Sequence, residues 1–333
     1  MSVRRTPRRV ARPTRRAAGP ALATALLTVA VTALTSCSDA DSGSGGGGGE
    51  GGTRSVESEF GTVELPADPQ AALGFYTTDV DILITLGIPL ADTQPTRSDG
   101  GYETFPAFFP QEELAGVETF QNYPEYNYEA VLNAQPDLIL NGLGYDRETV
   151  DRLPDIAPTY SINAFTGEDW RGFFRTVAEA LDRLPEYEEW TARYEARVEE
   201  VRARLAEEGV APVVAPVSLT EDQVTANCYG VPCLVFEDLG LEIAPLAEGQ
   251  EGTTLSLEQL GRLDGVDAVF TAVTPEDVAA EREPFAALAD NTLWNNLPFV
   301  ENDAIHPFDM EMQFGSPSGQ MAFLDIVEKE LLG

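Results

Sequence analysis

A single histidine limits the nucleophilic and acid–base chemistry open to this chain. His306 lies in the apolar segment Ala304-Ile-His-Pro-Phe308, and a Ser/His or Cys/His mechanism would have to use it. No Gly-x-Ser-x-Gly turn is present to supply a nucleophile. We therefore expect a structural histidine and a protein that is not an enzyme. Hydrolysis by paired carboxylates stays open as an alternative, because nothing in the sequence marks or excludes a particular pair.

The N-terminus is typical of an exported protein and ends at a cysteine. Seven arginines lie within the first 16 residues, residues 17–34 are apolar, and the small pair Thr35-Ser36 precedes Cys37. A thiol at this place resembles the lipobox of bacterial lipoproteins, in which the cysteine sulfur receives a diacylglycerol and becomes the new N-terminus. The sequence thus predicts lipidation of Cys37.

This reading divides the N-terminus into a signal peptide, residues 1–36, and a lipidated Cys with a flexible Gly-rich tether, residues 37–54. A membrane-spanning anchor is the alternative, but the apolar run is short and interrupted by Gly19-Pro20. We expect ordinary secretion rather than twin-arginine export, because no Phe-Leu-Lys-like continuation follows the arginine pairs. The protein should sit at the extracytoplasmic face of the cell membrane, attached through its lipid only.

The net charge of the chain argues against polyanionic partners. The chain has 21 Lys and Arg against 56 Asp and Glu. The predicted signal peptide removes seven basic groups and no acidic ones, so the mature chain carries a net charge of −42. Such a protein is repelled by nucleic acid and by anionic membrane surfaces.

The two remaining cysteines, Cys228 and Cys233, are separated by four residues. In an exported protein this spacing favours a small disulfide loop. A metal site at these thiols would need further soft or imidazole ligands, and the chain offers one histidine. The same scarcity argues against a zinc- or manganese-binding protein, so we expect no metal site and no cofactor.

Short apolar runs alternate with helical stretches beyond the tether, which is the pattern of an α/β fold. Residues 169–184 form one predicted helix, ended by Pro185, and residues 186–208 form a second, about 35 Å long. Apolar residues three and four apart give that second helix a single stripe, made of Tyr187, Trp190, Tyr194, Val198, Val201 and Leu205.

One sequence pattern occurs in both halves of the chain: a Glu-bearing helix, a short turn and an apolar strand. It spans Tyr128–Leu140 in the first half and Ser256–Phe270 in the second. These two patterns resemble the helical-backbone class of ABC-transporter substrate-binding proteins, which deliver iron-siderophore complexes, cobalamin or haem. The resemblance extends to the segments Phe60–Pro69, Ala157–Thr159 and Asn296–Val300.

The resemblance implies two lobes, each with a central sheet flanked by helices, joined by one long α-helix, with the ligand cleft between them. We place the N-terminal lobe at residues 55–165, a helical connector at 166–209 and the C-terminal lobe at 210–333. The implied function is capture of a ferric siderophore by a monomer and delivery to an ABC permease dimer. Haem and cobalamin remain alternative ligands.

The resemblance also implies roles for particular residues. In this family an acidic side chain on each lobe meets an Arg of the permease, and the matching positions are Glu129 and Glu258. In family members that bind hydroxamate siderophores an Arg binds the ligand, but Tyr123 occupies the matching position in this chain. Arg97 is singled out as a cation that could meet anionic oxygens. The full set of candidate ligand-binding residues is Tyr76, Arg97, Tyr102, Tyr123, Tyr145, Trp170, Tyr229 and Phe314.

Overall fold

A computed structural model describes residues 52–167 and 169–333. The predicted signal peptide, Cys37 and the tether as far as Gly51 lie outside the described residues. None of the helices in these two ranges is both long enough and apolar enough to span a membrane. The first strand begins at Thr53, two residues inside the range assigned to the tether, because Thr53 and Arg54 pair with Pro66 and Leu65.

The N-terminal lobe is built from seven strands and three helices. Its strands are β1 (Thr53–Ser58), β2 (Gly61–Pro66), β3 (Ala72–Gly74), β4 (Thr93–Arg97), β5 (Glu118–Tyr123), β6 (Leu138–Asn141) and β7 (Thr159–Ser161). Its helices are α1 (Thr77–Thr85), α2 (Tyr128–Asn133) and α3 (Arg147–Arg152). Strands β3, β6 and β7 form a parallel sheet in that order, β4 pairs with β5 in parallel, and β1 with β2 forms an antiparallel hairpin.

Two helices follow, α4 (Trp170–Ala180) and α5 (Leu184–Glu208). The predicted helix over residues 169–184 is wrong at its end. Asp182 adopts a left-handed φ of 55°, so the chain breaks before Pro185. Proline then lies in the first turn of α5, where an N–H has no helical partner to lose.

The C-terminal lobe is a six-stranded sheet with flanking helices. Its strands are β8 (Val213–Thr220), β9 (Gln223–Ala226), β10 (Glu242–Ile243), β11 (Thr253–Ser256), β12 (Ala268–Val273) and β13 (Ile305–Asp309). Its helices are α6 (Val231–Leu239), α7 (Pro275–Ala279), α8 (Thr292–Asn295), α9 (Pro298–Glu301) and α10 (Pro317–Leu332), with 3₁₀ turns at Leu257–Leu263 and Met310–Phe314. The sheet order is β11-β9-β8-β12-β13, and β10 pairs with β8.

Helix α5 joins the two lobes, as the sequence predicts. Its 25 residues extend about 37 Å. The face that carries the predicted stripe is buried at Trp190, Tyr194, Val198, Val201 and Leu205 against α4, α6 and α10. This buried face belongs to one hydrophobic cluster that includes Leu83 of the N-terminal lobe and Phe323 of α10. The connector is therefore embedded in a core that both lobes share.

Candidate ligand-binding cleft

Most of the candidate residues follow the carboxyl ends of strands. Tyr76 lies just beyond β3, Tyr123 ends β5, and Tyr145 lies beyond β6. In the C-terminal lobe, Tyr229 lies beyond β9 and Phe314 lies beyond β13. Loops at the carboxyl ends of parallel strands form the crevice in which open α/β sheets bind their ligands, and four of these five residues lie on such loops or strand ends. Tyr229 is the exception, because β9 runs antiparallel to both of its neighbours. The topology therefore brings residues distant in the sequence to one place.

Six aromatic side chains from both lobes form the aromatic cluster, which consists of Tyr76, Tyr123, Tyr145, Phe165, Tyr229 and Phe314. The ring of Tyr76 is the hub of this cluster, with centroids 5.5 Å from Tyr123, 5.9 Å from Phe165 and 6.3 Å from Phe314. Tyr145 contacts Phe165 at 5.9 Å, and Tyr229 contacts Phe314 at 6.5 Å.

The outer rings of the aromatic cluster reach solvent. Tyr145 is 53% exposed and Tyr229 is 39% exposed, whereas Tyr76 is buried. Exposed aromatic rings beside a cleft offer contact area to a bulky ligand with little loss of side-chain entropy. Burial raises the pKa of both Tyr145 and Tyr229, so their phenols are neutral at physiological pH.

A cavity of about 600 Å³ opens beside this cluster, between the start of α4 and the start of α6. Phe165, Trp170, Tyr229 and Phe314 contribute to its wall, together with polar side chains that include Gln250 and Gln313. Its volume lies within the range that suits small organic ligands.

The structure buries Arg97, which the sequence singles out as a cation that could meet anionic oxygens. Its guanidinium is 5% exposed and bonds to Asp99 through two hydrogen bonds of 2.6 and 2.5 Å. It also bonds to Glu311 at 2.9 Å and to the Tyr76 hydroxyl at 3.1 Å. Burial alone would lower the pKa of Arg97, but its hydrogen bond to Asp99 and the neighbouring acidic groups raise it. Arg97 thus joins residues of both lobes beside the aromatic cluster.

Contacts between the lobes continue on both sides of Arg97. Glu311 comes from the C-terminal lobe and is buried, and desolvation raises its pKa to about 7 although the charge of Arg97 opposes this. The Tyr102 hydroxyl donates to Asp309 at 2.5 Å. Further away, Ser318 at the start of α10 donates its N–H and hydroxyl to the buried Asp81 at 2.7 and 2.6 Å.

Three candidates are therefore less accessible than the sequence suggests. Tyr76 and Tyr102 are buried, and Tyr102 borders a separate groove that faces α7. Trp170 reaches the cavity wall, but its ring stacks on Phe174 at 5.6 Å and its indole N–H donates to Gln320 at 2.5 Å. Each of these side chains has a long-range partner that local sequence patterns do not reveal.

Sequence reasoning missed Phe165, which contacts both Tyr76 and Tyr145 and lines the cavity. Its position could have been found, because it follows β7 as Tyr145 follows β6. Gln250 and Gln313 carry no such signal, since Gln250 lies on an irregular segment and Gln313 lies in the 3₁₀ turn at Met310–Phe314, far apart in the chain.

The structure joins Cys228 and Cys233 in a disulfide with their Cα atoms 5.4 Å apart. Both cysteines line the cavity, and the bridge ties the loop that carries Tyr229 to the first turn of α6. The disulfide therefore holds one wall of the cavity.

His306 has a structural environment. It lies in β13, and its ring centroid is 5.1 Å from that of Phe270 while its Nδ1 lies 3.0 Å from Glu330. Burial lowers its pKa. Among the described residues, no group of three or more His, Cys, Asp or Glu side chains is placed to hold a metal ion.

Glu129 and Glu258 are on separate lobes and both are exposed. Glu129 lies in the first turn of α2, and Glu258 in the first turn of the 3₁₀ helix at Leu257–Leu263. Neither carboxylate forms an ion pair within residues 52–167 and 169–333. Both are free to meet a partner.

Comparison with known proteins agrees with this architecture. The family described as periplasmic binding protein matches residues 75–308. The probable siderophore-binding lipoprotein YfiY of Bacillus subtilis is 23% identical over 291 residues, which cover 84% of this chain and 88% of YfiY. The putative ABC transporter substrate-binding lipoprotein YhfQ of the same organism is 22% identical over 295 residues, covering 83% of this chain and 88% of YhfQ.

Solved structures share the fold. A periplasmic solute binding protein from Mycobacterium smegmatis superposes with a TM-score of 0.67 at 22% identity, covering 84% of this chain and 98% of its own. Staphylococcus aureus SirA, solved in complex with staphyloferrin B, gives a TM-score of 0.66 at 18% identity and covers 84% and 99% respectively. These similarities confirm the predicted fold class.

Proposed function

Because the chain belongs to the periplasmic binding protein family, we propose that it captures a ferric siderophore outside the cytoplasmic membrane and delivers it to an ABC permease. The observation that carries this proposal is the aromatic cluster, which is drawn from both lobes and borders a cavity of about 600 Å³. A ferric siderophore is a bulky organic shell around a metal ion, and exposed aromatic rings suit such a surface.

The relatives support the same ligand class. YfiY is named as a probable siderophore-binding lipoprotein, and SirA was solved with staphyloferrin B. The ligand would be bound and released unchanged, with no cofactor and no catalytic step. Haem and cobalamin are the alternatives within this fold, and they belong in the same binding experiment.

Titration of the purified chain with ferric hydroxamates, ferric catecholates, haem and cobalamin tests this proposal. Quenching of intrinsic Tyr and Trp fluorescence reports binding, because Tyr229 and Trp170 line the cavity. Saturable binding of a ferric siderophore in the micromolar range or tighter is the expected result. If only haem or cobalamin bound, that compound would replace the siderophore as the proposed ligand. If none of these ligands bound, the uptake proposal would be refuted.

The same proposal assigns Glu129 and Glu258 to permease docking. A carboxylate facing a guanidinium forms a directional, charge-assisted pair, and one such pair on each lobe would register the protein on a permease dimer. Their exposure, their places on separate lobes and their lack of ion pairs in the described part of the chain support this role.

Charge reversal separates docking from ligand capture. The double variant Glu129→Arg/Glu258→Arg should abolish uptake of iron in cells while ligand affinity in solution stays at the wild-type value. The matched control is Glu64→Arg/Glu207→Arg, which reverses two exposed glutamates on β2 and α5 and should leave uptake intact. Normal uptake by the first variant would refute the docking role.

Attachment through a lipid on Cys37 and a monomeric state complete the proposal. Cys37→Ser should release the protein from the membrane fraction and abolish incorporation of labelled palmitate. Light scattering of the released protein should give the mass of a single chain. Retention of Cys37→Ser in the membrane would indicate an uncleaved anchor at residues 17–34 instead.

A further inference from the structure

Basic side chains are almost absent from the cleft. Arg97 contacts the aromatic cluster, with its guanidinium carbon 5.2 Å from the Tyr123 ring centroid and 4.8 Å from that of Phe314. No other Lys or Arg among residues 52–167 and 169–333 forms a cation–π contact with the cluster, and none lines the cavity. The ability of the cleft to attract an anion therefore depends on Arg97 alone.

The charge of Arg97 is cancelled by neighbours in the same network. Its guanidinium bonds to both Asp99 and Glu311. Whether or not Glu311 is ionised, one carboxylate already balances the guanidinium, so the group presents no net positive charge. Asp309, which accepts from Tyr102 on the same side, adds a further acidic group. An anionic ligand could form no ion pair with Arg97 without first breaking the Arg97–Asp99 pair.

The cavity wall carries carboxylates of its own. Asp169, Glu237 and Glu248 line it. Asp169 is paired with Arg171 at 2.7 Å, but Glu237 and Glu248 are exposed and form no ion pair within the described residues. Two uncompensated negative charges thus face a ligand that enters from solvent, and the net charge of the mature chain acts in the same direction at longer range.

We propose that the cleft selects its ligand by charge, accepting ferric tris-hydroxamate complexes that are neutral or carry a free ammonium group and rejecting anionic complexes. Three hydroxamates neutralise Fe³⁺, whereas three catecholates leave the complex with three negative charges, and carboxylate complexes are anionic as well. Glu237 and Glu248 would meet the ammonium group of a cationic ligand. This inference rests on the proposed function and specifies its ligand class.

A pair of ligands with the same iron centre tests the inference. Ferrioxamine B carries a free ammonium group, and its N-acetyl derivative is neutral. Titrated into the purified full chain in detergent at low salt, ferrioxamine B should bind about fivefold more tightly than the acetylated complex, and high salt should shrink this ratio. Ferric enterobactin and ferric citrate should bind at least about a hundredfold more weakly than either, because they bring negative charge into an acidic cavity.

Substitutions test which side chains are responsible for the charge selection. Glu237→Gln/Glu248→Gln should bring the ratio of the two ferrioxamine affinities to about one, whereas Glu207→Gln, on α5 and outside the cavity lining, should keep the wild-type ratio. Asp99→Asn should raise the affinity for ferric enterobactin about tenfold, because it leaves Arg97 with a single carboxylate partner.

The outcomes separate this inference from the proposed function. If ferric enterobactin or ferric citrate bound as tightly as the ferrioxamines, charge selection would be overturned while siderophore capture stood. If both ferrioxamines bound with equal affinity at low salt, Glu237 and Glu248 would have no role in selection. Failure of all four complexes to bind would overturn the proposed function and this inference together.

Discussion

Asp79 makes the stability of this protein sensitive to pH in a direction opposite to most carboxylates. It lies fully buried in the first turn of α1, where its Oδ2 accepts the N–H groups of Tyr76 and Gly142, both at 3.0 Å. Its Oδ1 has no hydrogen-bond partner among the described residues. Burial without a cation raises its pKa from 3.8 to about 7, although those backbone N–H groups act to lower it.

The sign and size of the effect follow from linkage. The folded state binds the Asp79 proton more tightly than the unfolded state does, so the stabilising contribution is complete below pH 3.8 and is lost as pH rises through about 7. A shift of this size corresponds to roughly 4 kcal/mol, at about 1.4 kcal/mol for each pH unit. Asp79→Asn keeps an oxygen acceptor and cannot ionise, so it should escape this loss.

Urea unfolding followed by Trp fluorescence, repeated between pH 4 and pH 8, measures the difference. The free energy of unfolding of Asp79→Asn relative to wild type should increase by several kcal/mol from pH 4 to pH 8. Glu64→Gln, which removes an exposed carboxylate, should run parallel to wild type. If Asp79→Asn also ran parallel, Asp79 would be ionised in the folded protein and the reasoning from burial would fail.

Three further predictions concern the cleft. Gly315→Ala should lower the free energy of unfolding by roughly 1–3 kcal/mol, because φ at Gly315 is 87° and a Cβ would lie 2.5 Å from Trp170. The control Gly265→Ala, which has open space around it, should be nearly neutral in the same urea assay. Cys228→Ser/Cys233→Ser should cost about 2 kcal/mol of stability and weaken ligand binding, because the bridge holds the loop of Tyr229; unchanged affinity would contradict this. Tyr145→Ala and Tyr229→Ala should each reduce affinity about tenfold in fluorescence titrations, whereas Leu132→Ala, which also removes an exposed apolar side chain, should not.

Local periodicity predicted the elements that depend on one buried face. The stripe from Trp190 to Leu205 identified the long helix because every member packs against the shared core. The end of α4 could not be predicted in the same way. It depends on the left-handed conformation of Asp182, which no local residue type demands.

Strand order accounts for the position of some candidate residues but not of others. Tyr145 reaches the cleft because it follows β6, a parallel strand whose carboxyl end lies there. Tyr229 follows the antiparallel strand β9, so this rule does not place it. The contacts of Arg97 and Tyr102 could not be predicted, because their partners Glu311 and Asp309 lie more than 200 residues away in the sequence. The scarcity of basic residues singled out Arg97, but only the fold shows that carboxylates already pair with it.

The contacts between the lobes imply that the cleft is largely formed before the ligand arrives. Arg97 with Glu311, Tyr102 with Asp309 and Asp81 with Ser318 each join a residue of the N-terminal lobe to one of the C-terminal lobe. The hydrophobic cluster around α5 also continues through both lobes, so opening them widely would break buried hydrogen bonds and expose apolar surface. Wide hinge motion is therefore costly, and ligand choice must depend on the aromatic surface and the charges that the cleft already presents.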